Sequence, residues 1–230
     1  MNRAPPTRLR GRIRELGVAL VLLLPCLGVV APAMAAAGSG SGAAPAASGS
    51  AHTASPAATI KYLHASLIDV MKHAKELGYD GRYRKLKPVI EQTHDLAYLA
   101  RLTLGSHWDK LDSDQRSRFL TAFRQLTIAT YAARFDGYSG EKFRFDGSRQ
   151  AAGGQSVVRS TLVQSGGSNV TFDYVLHRTD GQWKIINIVV NGVSDLAMKR
   201  AQYTDLLQRK GFPALLKTIH KRIAGYGGAH

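Results

Sequence analysis

The sequence has almost none of the groups that form disulfides or metal–thiolate sites. It contains one cysteine, Cys26, among 230 residues, and that cysteine lies in an apolar run near the N-terminus. A mature chain without it would have no disulfide, no cysteine–metal site and no thiol chemistry. The eight histidines also lack the HxxxH and HExxH spacings of zinc sites. We therefore expect no metal and no cofactor.

Several other functional signatures are missing. The chain has no G-x-S-x-G elbow, no P-loop and no G-x-G-x-x-G after a strand. Acidic residues are few, with 16 Asp and Glu against 31 Lys and Arg, a formal net charge of +15. Because aromatic and basic residues do not interleave as in RNA-binding motifs, nucleic acid is not expected as a partner. The charge favours transient contact with an anionic membrane surface or an acidic protein, or it serves solubility alone.

The longest apolar run covers residues 16–30 (LGVALVLLLPCLGVV). Five arginines precede it, Ala33-Met34-Ala35 follows it, and the run is short for a membrane span. These features predict a signal peptide over residues 1–35, cleaved after Ala35. An uncleaved membrane anchor and a lipoprotein attached at Cys26 are the alternatives. Because an exported chain without disulfides fits a bacterial periplasm, we expect a periplasmic location.

Composition divides the rest of the chain. Residues 36–58 are small, uncharged and rich in Gly, Ser, Ala and Pro, so they are predicted to form a disordered linker. Residues 59–225 are long enough for a single domain with a sizeable core, and 226–230 are predicted to be a flexible tail.

Hydrophobic periodicity predicts an α+β fold. Apolar residues at helical spacing, with capping signals, predict N-terminal helices over 59–77, 82–91 (or two turns broken near Pro88), 94–104 and 113–135. Alternating runs then predict four antiparallel strands over 142–149, 155–165, 169–179 and 182–194. Two C-terminal helices are expected to begin at Ser194 and Pro213. This order favours helices packed on one face of a curved sheet.

The clearest local signal is the dipeptide Asp180-Gly181 between two alternating apolar runs. It predicts a β-hairpin with a two-residue type I′ turn. In that register Tyr174 faces Asn187 and Phe172 faces Val189. One face of the hairpin is then rich in aromatic and aliphatic groups, so it must be covered by helices or by helices and an apolar ligand.

Three charged positions raise other possibilities. Asp173 and His177 lie four residues apart on one strand face and could form an acid–base pair, although the predicted register places them opposite the apolar face, which favours a solvated pair. If Gly166-Gly167 is also a two-residue turn, Arg159 lies beside Tyr174 on the apolar face. There it would either belong to a hydrogen-bonded cluster that fixes the sheet or bind a lipid head group.

Several segments resemble the MlaC / toluene-tolerance family of periplasmic lipid-binding proteins, including residues 99–126, 130–143, 180–194 and 208–219. The patterns LG.HW…Q…F..AF and DG.WK…V..GVS carry the resemblance. The segment ATYAARFDGYSGE also resembles the hopanoid-associated HpnM-type branch. The resemblance implies a soluble, non-catalytic carrier that shuttles a hopanoid or phospholipid between inner and outer membranes. It also implies an apolar pocket between sheet and helices, and docking onto a membrane-bound lipid transport complex.

Candidate pocket residues follow from the predicted sheet face and helix stripes. They are Leu99, Leu102, Tyr131, Phe135, Arg159, Phe172, Tyr174, Val189, Leu206 and Leu207. Two other functions stay open. One is a lipid-modifying enzyme of the isomerase or cyclase type that uses Asp173 and His177. The other is an adaptor with a filled core that bridges membrane complexes through its basic surface.

Overall fold

The computed structural model describes residues 49–227. The predicted signal peptide, most of the predicted linker and residues 228–230 lie outside the described residues. The six helices are α1 (Gly49–His52), α2 (Pro56–Lys72), α3 (Ala74–Thr93), α4 (Leu96–Leu104), α5 (Ser113–Arg134) and α6 (Asp195–Gly227). The strands are β1 (Lys142–Gln150), β2 (Ser156–Val163), β3 (Val170–Thr179), β4 (Gln182–Val190) and β5 (Val193–Ser194). Short 3-10 helices cover Gly105–Lys110 and Ala152–Gly154.

The five strands form one antiparallel sheet in the order β1-β2-β3-β4-β5. The predicted α+β class is confirmed, whereas the count of four strands is wrong by one because the two-residue β5 adds a fifth. The helices cover one face of the sheet and bury residues such as Leu63, Phe119, Leu176 and Ile185 completely. Within residues 49–227, no helix combines the length and the apolar character needed to cross a membrane.

The N-terminal end of the described chain is helical. Residues 49–58 were predicted to belong to a disordered linker, but they form α1 and the start of α2. Ser55 caps α2, because its hydroxyl accepts a hydrogen bond from the Ala58 amide at 3.1 Å, and Pro56 occupies the first turn. The carbonyl of Thr53 accepts a hydrogen bond from the Trp183 amide at 2.9 Å. Composition does not reveal this long-range contact.

The helices α2 and α3 differ in detail from the prediction. Helix α2 ends at Lys72 rather than at Leu77, and Gly78, at φ 57°, breaks α3 near its start. Pro88 does not interrupt α3. Because Pro88 lies on the exposed side of α3, the carbonyl that it leaves without a donor can bind water.

Two predicted helix boundaries are confirmed. Asp112 and Gln115 form a reciprocal capping box at the start of α5. Gly105 ends α4 at φ 53°, and a Cβ built there would lie 2.6 Å from the Arg200 guanidinium. This position therefore favours glycine for its backbone conformation, whereas the close atom is the end of the exposed, flexible Arg200 side chain, which can move aside.

The β3–β4 hairpin has the predicted turn and an unpredicted bulge. Asp180 and Gly181 have φ values of 50° and 75°, as a type I′ turn requires. The register shifts between Val175 and Leu176, where Ile186 is the extra residue of β4. Tyr174 therefore pairs with Ile188 instead of Asn187, and Phe172 with Val190 instead of Val189, so these two predicted pairs are wrong.

The β2–β3 connection also differs from the predicted two-residue turn. The last pair before it is Leu162 with Val170, which leaves seven connecting residues. A connection of seven residues instead of two shifts the pairing of β2 with β3 by one residue from the prediction. This shift places the β2 side chains on the face of β3 opposite to the predicted one. Arg159 pairs with Asp173 rather than lying beside Tyr174.

The C-terminal helices follow the prediction. The Ser194 hydroxyl accepts a hydrogen bond from the Ala197 amide at 3.1 Å and so caps α6. Gly211, at φ 76°, divides α6 into two helical segments just before Pro213. Helix α6 packs against α4 and α5.

Candidate functional site

A largely apolar cavity lies between the inner face of the sheet and the helices. It encloses about 880 Å³ of empty space, including its open mouth. Strands β3 and β4 contribute Phe172, Tyr174, Ile185 and Ile188. The helices contribute Leu67, Leu99, Phe123, Tyr131, Phe135 and Leu196.

The C-terminal half of α5 forms one wall of the cavity. Phe123, Thr127, Thr130 and Arg134 recur at helical spacing and line the cavity together. The hydroxyls of Thr127 and Thr130 donate to the Phe123 and Leu126 carbonyls at 2.8 and 2.7 Å. Their hydrogen-bond donors are thus satisfied within the helix, and these side chains add no unpaired donor to the wall.

The bulge in β4 determines which strand residues line the opposite wall. Ile185 and Ile188 both line the cavity, although residues three apart in a regular strand face opposite sides. The extra residue Ile186 shifts the alternation along β4 by one residue, so Ile185 and Ile188 both point inward. Strand β4 therefore contributes aliphatic groups to the cavity.

Two buried histidines support the aromatic part of the wall. Nε2 of His64 lies 3.0 Å from the Tyr174 hydroxyl, and the His64 ring stacks on Phe143. His94 contacts the Tyr131 hydroxyl through Nε2, at 3.1 Å. Burial lowers the pKa of both histidines to about 3, so both are neutral near pH 7.

Hydrogen bonding defines the tautomer of His94. The Thr93 hydroxyl donates to the Val89 carbonyl at 2.7 Å, so it accepts from His94 Nδ1 at 2.9 Å. Nε2 therefore accepts from the Tyr131 hydroxyl. Burial also raises the pKa of Tyr131 and Tyr174, so these phenols are uncharged near pH 7.

Charged groups occupy a limited part of the wall, namely Arg134, Asp195 and Lys199. Lys199 forms an ion pair with Asp195 one helical turn earlier. The Nε of Arg134 is buried and has no hydrogen-bond partner among the described residues. Over residues 49–227, no three His, Cys, Asp or Glu side chains are grouped to hold a metal ion.

Comparison with known proteins identifies the family. A sequence model described as MlaC protein matches residues 61–221, most of the chain. The chain belongs to the MlaC family. The match covers α3 to α5, the sheet and most of α2 and α6, so the cavity of this MlaC-family chain lies within the matched region. The HpnM-type branch stays a prediction.

Individual relatives are similar but distant. The toluene tolerance protein ttg2D of Pseudomonas putida is 25% identical over 150 residues, 65% of this chain and 66% of the relative. The intermembrane phospholipid transport system binding protein MlaC of Haemophilus influenzae is 25% identical over 131 residues, 55% of this chain and 61% of the relative. The chain thus spans just under two thirds of the length of each.

A solved structure shows the same fold. The phospholipid-binding protein from Ralstonia solanacearum, determined in complex with a phospholipid, aligns with a TM-score of 0.65 and 22% identity. The alignment covers 74% of this chain and 97% of the Ralstonia chain.

The structure places five of the ten candidate pocket residues in the cavity wall of this MlaC-family chain: Leu99, Tyr131, Phe135, Phe172 and Tyr174. Val189 pairs with Asp173 on the outer face because of the bulge. Helix α4 contributes Leu99 and Thr103 to the wall, and Leu102 is not a wall residue. Leu206 lines a separate, smaller pocket between α5 and α6, and Leu207 packs at the edge of the core.

Arg159 lies outside the cavity, contrary to the predicted position. Its guanidinium forms two hydrogen bonds of 2.7 Å to the Asp173 carboxylate on the outer face, and its side chain is 60% exposed. These hydrogen bonds lower the pKa of Asp173. His177 contacts a different carboxylate, that of Asp95, at 2.8 Å. Asp173 and His177 are therefore each paired with another residue, and they form neither an acid–base pair nor the favoured solvated pair with each other.

Sequence reasoning missed most polar wall residues. His94 and Asn187 of the wall, and His64 beside the wall residue Tyr174, contact partners that the fold brings together, and no local motif marks them. Arg134 and Thr130 had a usable signal, because they lie on the same helix stripe as Phe123 and Tyr131.

Proposed function

We propose that this MlaC-family protein is a non-catalytic periplasmic lipid carrier, with its lipid-binding domain over residues 59–225. The observation that carries the proposal is the largely apolar, partly open cavity between sheet and helices. Its cargo is a phospholipid or a hopanoid, which it shuttles between inner and outer membranes.

The energetics of apolar burial suit carriage. Each CH₂ moved from water into such a cavity contributes about 0.8 kcal/mol. About ten of them give roughly 8 kcal/mol, which corresponds to micromolar binding. Because this affinity comes from apolar contact, the carrier needs no reactive group, and the neutral histidines and tyrosines of the wall suit that role.

Support for the cargo comes from two sources. The names of the Haemophilus influenzae and Ralstonia solanacearum proteins include phospholipid transport and phospholipid binding. The hopanoid alternative depends on the segment ATYAARFDGYSGE, and four residues of that segment line the cavity. They are Thr130, Tyr131, Arg134 and Phe135.

We propose two partners besides the lipid. The name of the Haemophilus influenzae relative includes a transport system, which supports docking onto a membrane-bound lipid transport complex. Residues 36–230, which follow the predicted signal peptide, contain 26 Lys and Arg against 15 Asp and Glu, and this excess supports transient contact with an anionic membrane surface.

The alternative functions receive less support from the described residues. The lipid-modifying enzyme would use Asp173 and His177, but neither lines the cavity and each pairs with another residue. The adaptor predicts a filled core, whereas this domain contains the cavity.

Native mass spectrometry tests carriage directly. The full chain is purified without detergent from cells that make both phospholipids and hopanoids, and the bound mass is identified after release. We expect one lipid mass per cavity. Protein that is always empty, from cells in which both lipids are detected, would contradict carriage.

A further inference from the structure

The Arg134 side chain has a feature that the apolar cavity does not explain. Its Nε is buried against the cavity wall without a hydrogen-bond partner among residues 49–227. Leaving a buried donor unpaired is costly, and the cost is larger for a charged group. The buried Nε–H group of Arg134 therefore needs a hydrogen-bond acceptor that residues 49–227 do not supply.

Another buried arginine shows how this fold satisfies a structural guanidinium. Arg82 donates to the Ala132 carbonyl at 2.8 Å and to the Ala74 carbonyl at 3.0 Å. Since Ala132 lies near the end of α5, Arg82 already occupies one of the carbonyls close to Arg134. The carbonyl of Tyr131 accepts from the Phe135 amide. The Ala132 and Tyr131 carbonyls are thus already engaged.

The charges of the wall leave an excess of one positive charge. Lys199 and Asp195 neutralise each other, and His94 is neutral near pH 7 because burial lowers its pKa to about 3. Arg134 is the remaining charged group of the wall. Arg134, Asp195 and Lys199 are all partly exposed, which places the charged part of the wall where the cavity meets solvent.

We infer that Arg134 determines cargo specificity by binding a phosphate-type oxygen of the lipid head group where the cavity opens. The inference rests on the proposed lipid carriage and goes beyond it, because it distinguishes phosphate-bearing lipids from neutral ones. A guanidinium presents paired N–H donors that match phosphate oxygens. A neutral polycyclic lipid would leave the Arg134 Nε without an anionic acceptor.

The test compares two lipids with identical acyl chains. Phosphatidylglycerol carries the phosphate and diacylglycerol lacks it, and both carry the same fluorescent acyl label. Dissociation constants are measured for the full chain and for Arg134→Gln. We expect the unsubstituted protein to prefer phosphatidylglycerol by about tenfold or more, and the variant to bind both lipids alike. Arg118→Gln is the matched control, because Arg118 is an exposed residue of the same helix paired with Asp114.

The outcomes separate the two levels of the proposal. If the unsubstituted protein binds neither lipid, carriage itself fails and the inference falls with it. If it binds both lipids without preference, or if Arg134→Gln keeps the preference, only the role of Arg134 is overturned. Inorganic phosphate at millimolar concentration provides a further arm. If phosphate stabilises the unsubstituted protein but not Arg134→Gln, and the two proteins have the same lipid preference, then Arg134 binds free phosphate rather than a head group.

A second substitution covers the case in which Arg134→Gln does not fold. Arg134→Lys keeps the charge but cannot donate two parallel hydrogen bonds, so the preference should fall severalfold without disappearing. A preference equal to that of the unsubstituted protein would contradict the inference.

Discussion

The Tyr131 hydroxyl lies 3.1 Å from Nε2 of His94, and both side chains belong to the cavity wall. This hydrogen bond joins Tyr131, near the end of α5, to His94, which forms an isolated bridge with Ile185 of β4. It closes one side of the cavity without placing a charge there.

Removing the hydroxyl should destabilise the fold. Tyr131→Phe leaves the buried Nε2 of His94 without a donor, and we expect a loss of about 1–3 kcal/mol in the free energy of unfolding, measured by urea denaturation. Tyr138→Phe is the control, because Tyr138 is 38% exposed. Equal stability of the two variants would contradict the importance of the hydrogen bond.

Acidification should destabilise the protein before its carboxylates titrate. The pKa of His64 and His94 is about 3 in the folded chain, against 6.5 in the unfolded chain. Between these values the unfolded chain binds more protons, so stability is fully present above pH 6.5 and is lost as the pH falls towards 3. Each histidine contributes a slope of up to about 1.4 kcal/mol per pH unit.

Urea denaturation between pH 7 and about 4.5 checks this slope while most carboxylates stay ionised. His64→Gln should reduce the slope, whereas His220→Gln, at an exposed position, should leave it unchanged. A stability independent of pH over this range would show that the histidines are not buried as neutral groups.

The Arg159–Asp173 pair should matter little for stability and not at all for cargo. Arg159→Met should leave the free energy of unfolding almost unchanged, because the arginine is 60% exposed. It should raise the pKa of Asp173 towards its ordinary value, which a carboxyl NMR titration would detect. Arg178→Met, on the same sheet, is the control and should leave the pKa of Asp173 unchanged. A loss of lipid binding in Arg159→Met would contradict the outer-face position of this side chain.

Filling the cavity should reduce cargo retention. Leu99→Trp places a larger side chain in the wall, and we expect severalfold less co-purified lipid by native mass spectrometry because the lipid loses room. Leu102→Trp lies on the same helix outside the cavity wall and should retain lipid. Equal retention in both variants would mean that the lipid binds elsewhere.

Local signals predicted most of the fold. The capping box of Asp112 and Gln115 and the turn at Asp180-Gly181 are formed by neighbouring residues, so the sequence contains the whole cause. The contact between Thr53 and Trp183 is formed across the fold, and composition alone assigned Thr53 to a disordered linker.

The cavity was harder to predict because strand register has no local cause. The odd connection after Leu162 and the extra residue Ile186 each shift the pairing by one, which moved Arg159 and Val189 to the outer face. Helices pose a similar problem, since Leu99 and Leu102 are both apolar and only packing decides which one meets the empty space.

The bulge in β4 lets this strand differ by one residue in length without a change of the cavity lining. Deleting Ile186 would preserve every other side chain but restore strict alternation along β4. Leu176 would still pair with Ile185 and Tyr174 with Ile188, so both isoleucines would keep facing the cavity. A relative that lacks the extra residue can therefore present the same lining, so aligned relatives must be compared by strand pairing at this point as well as by residue position.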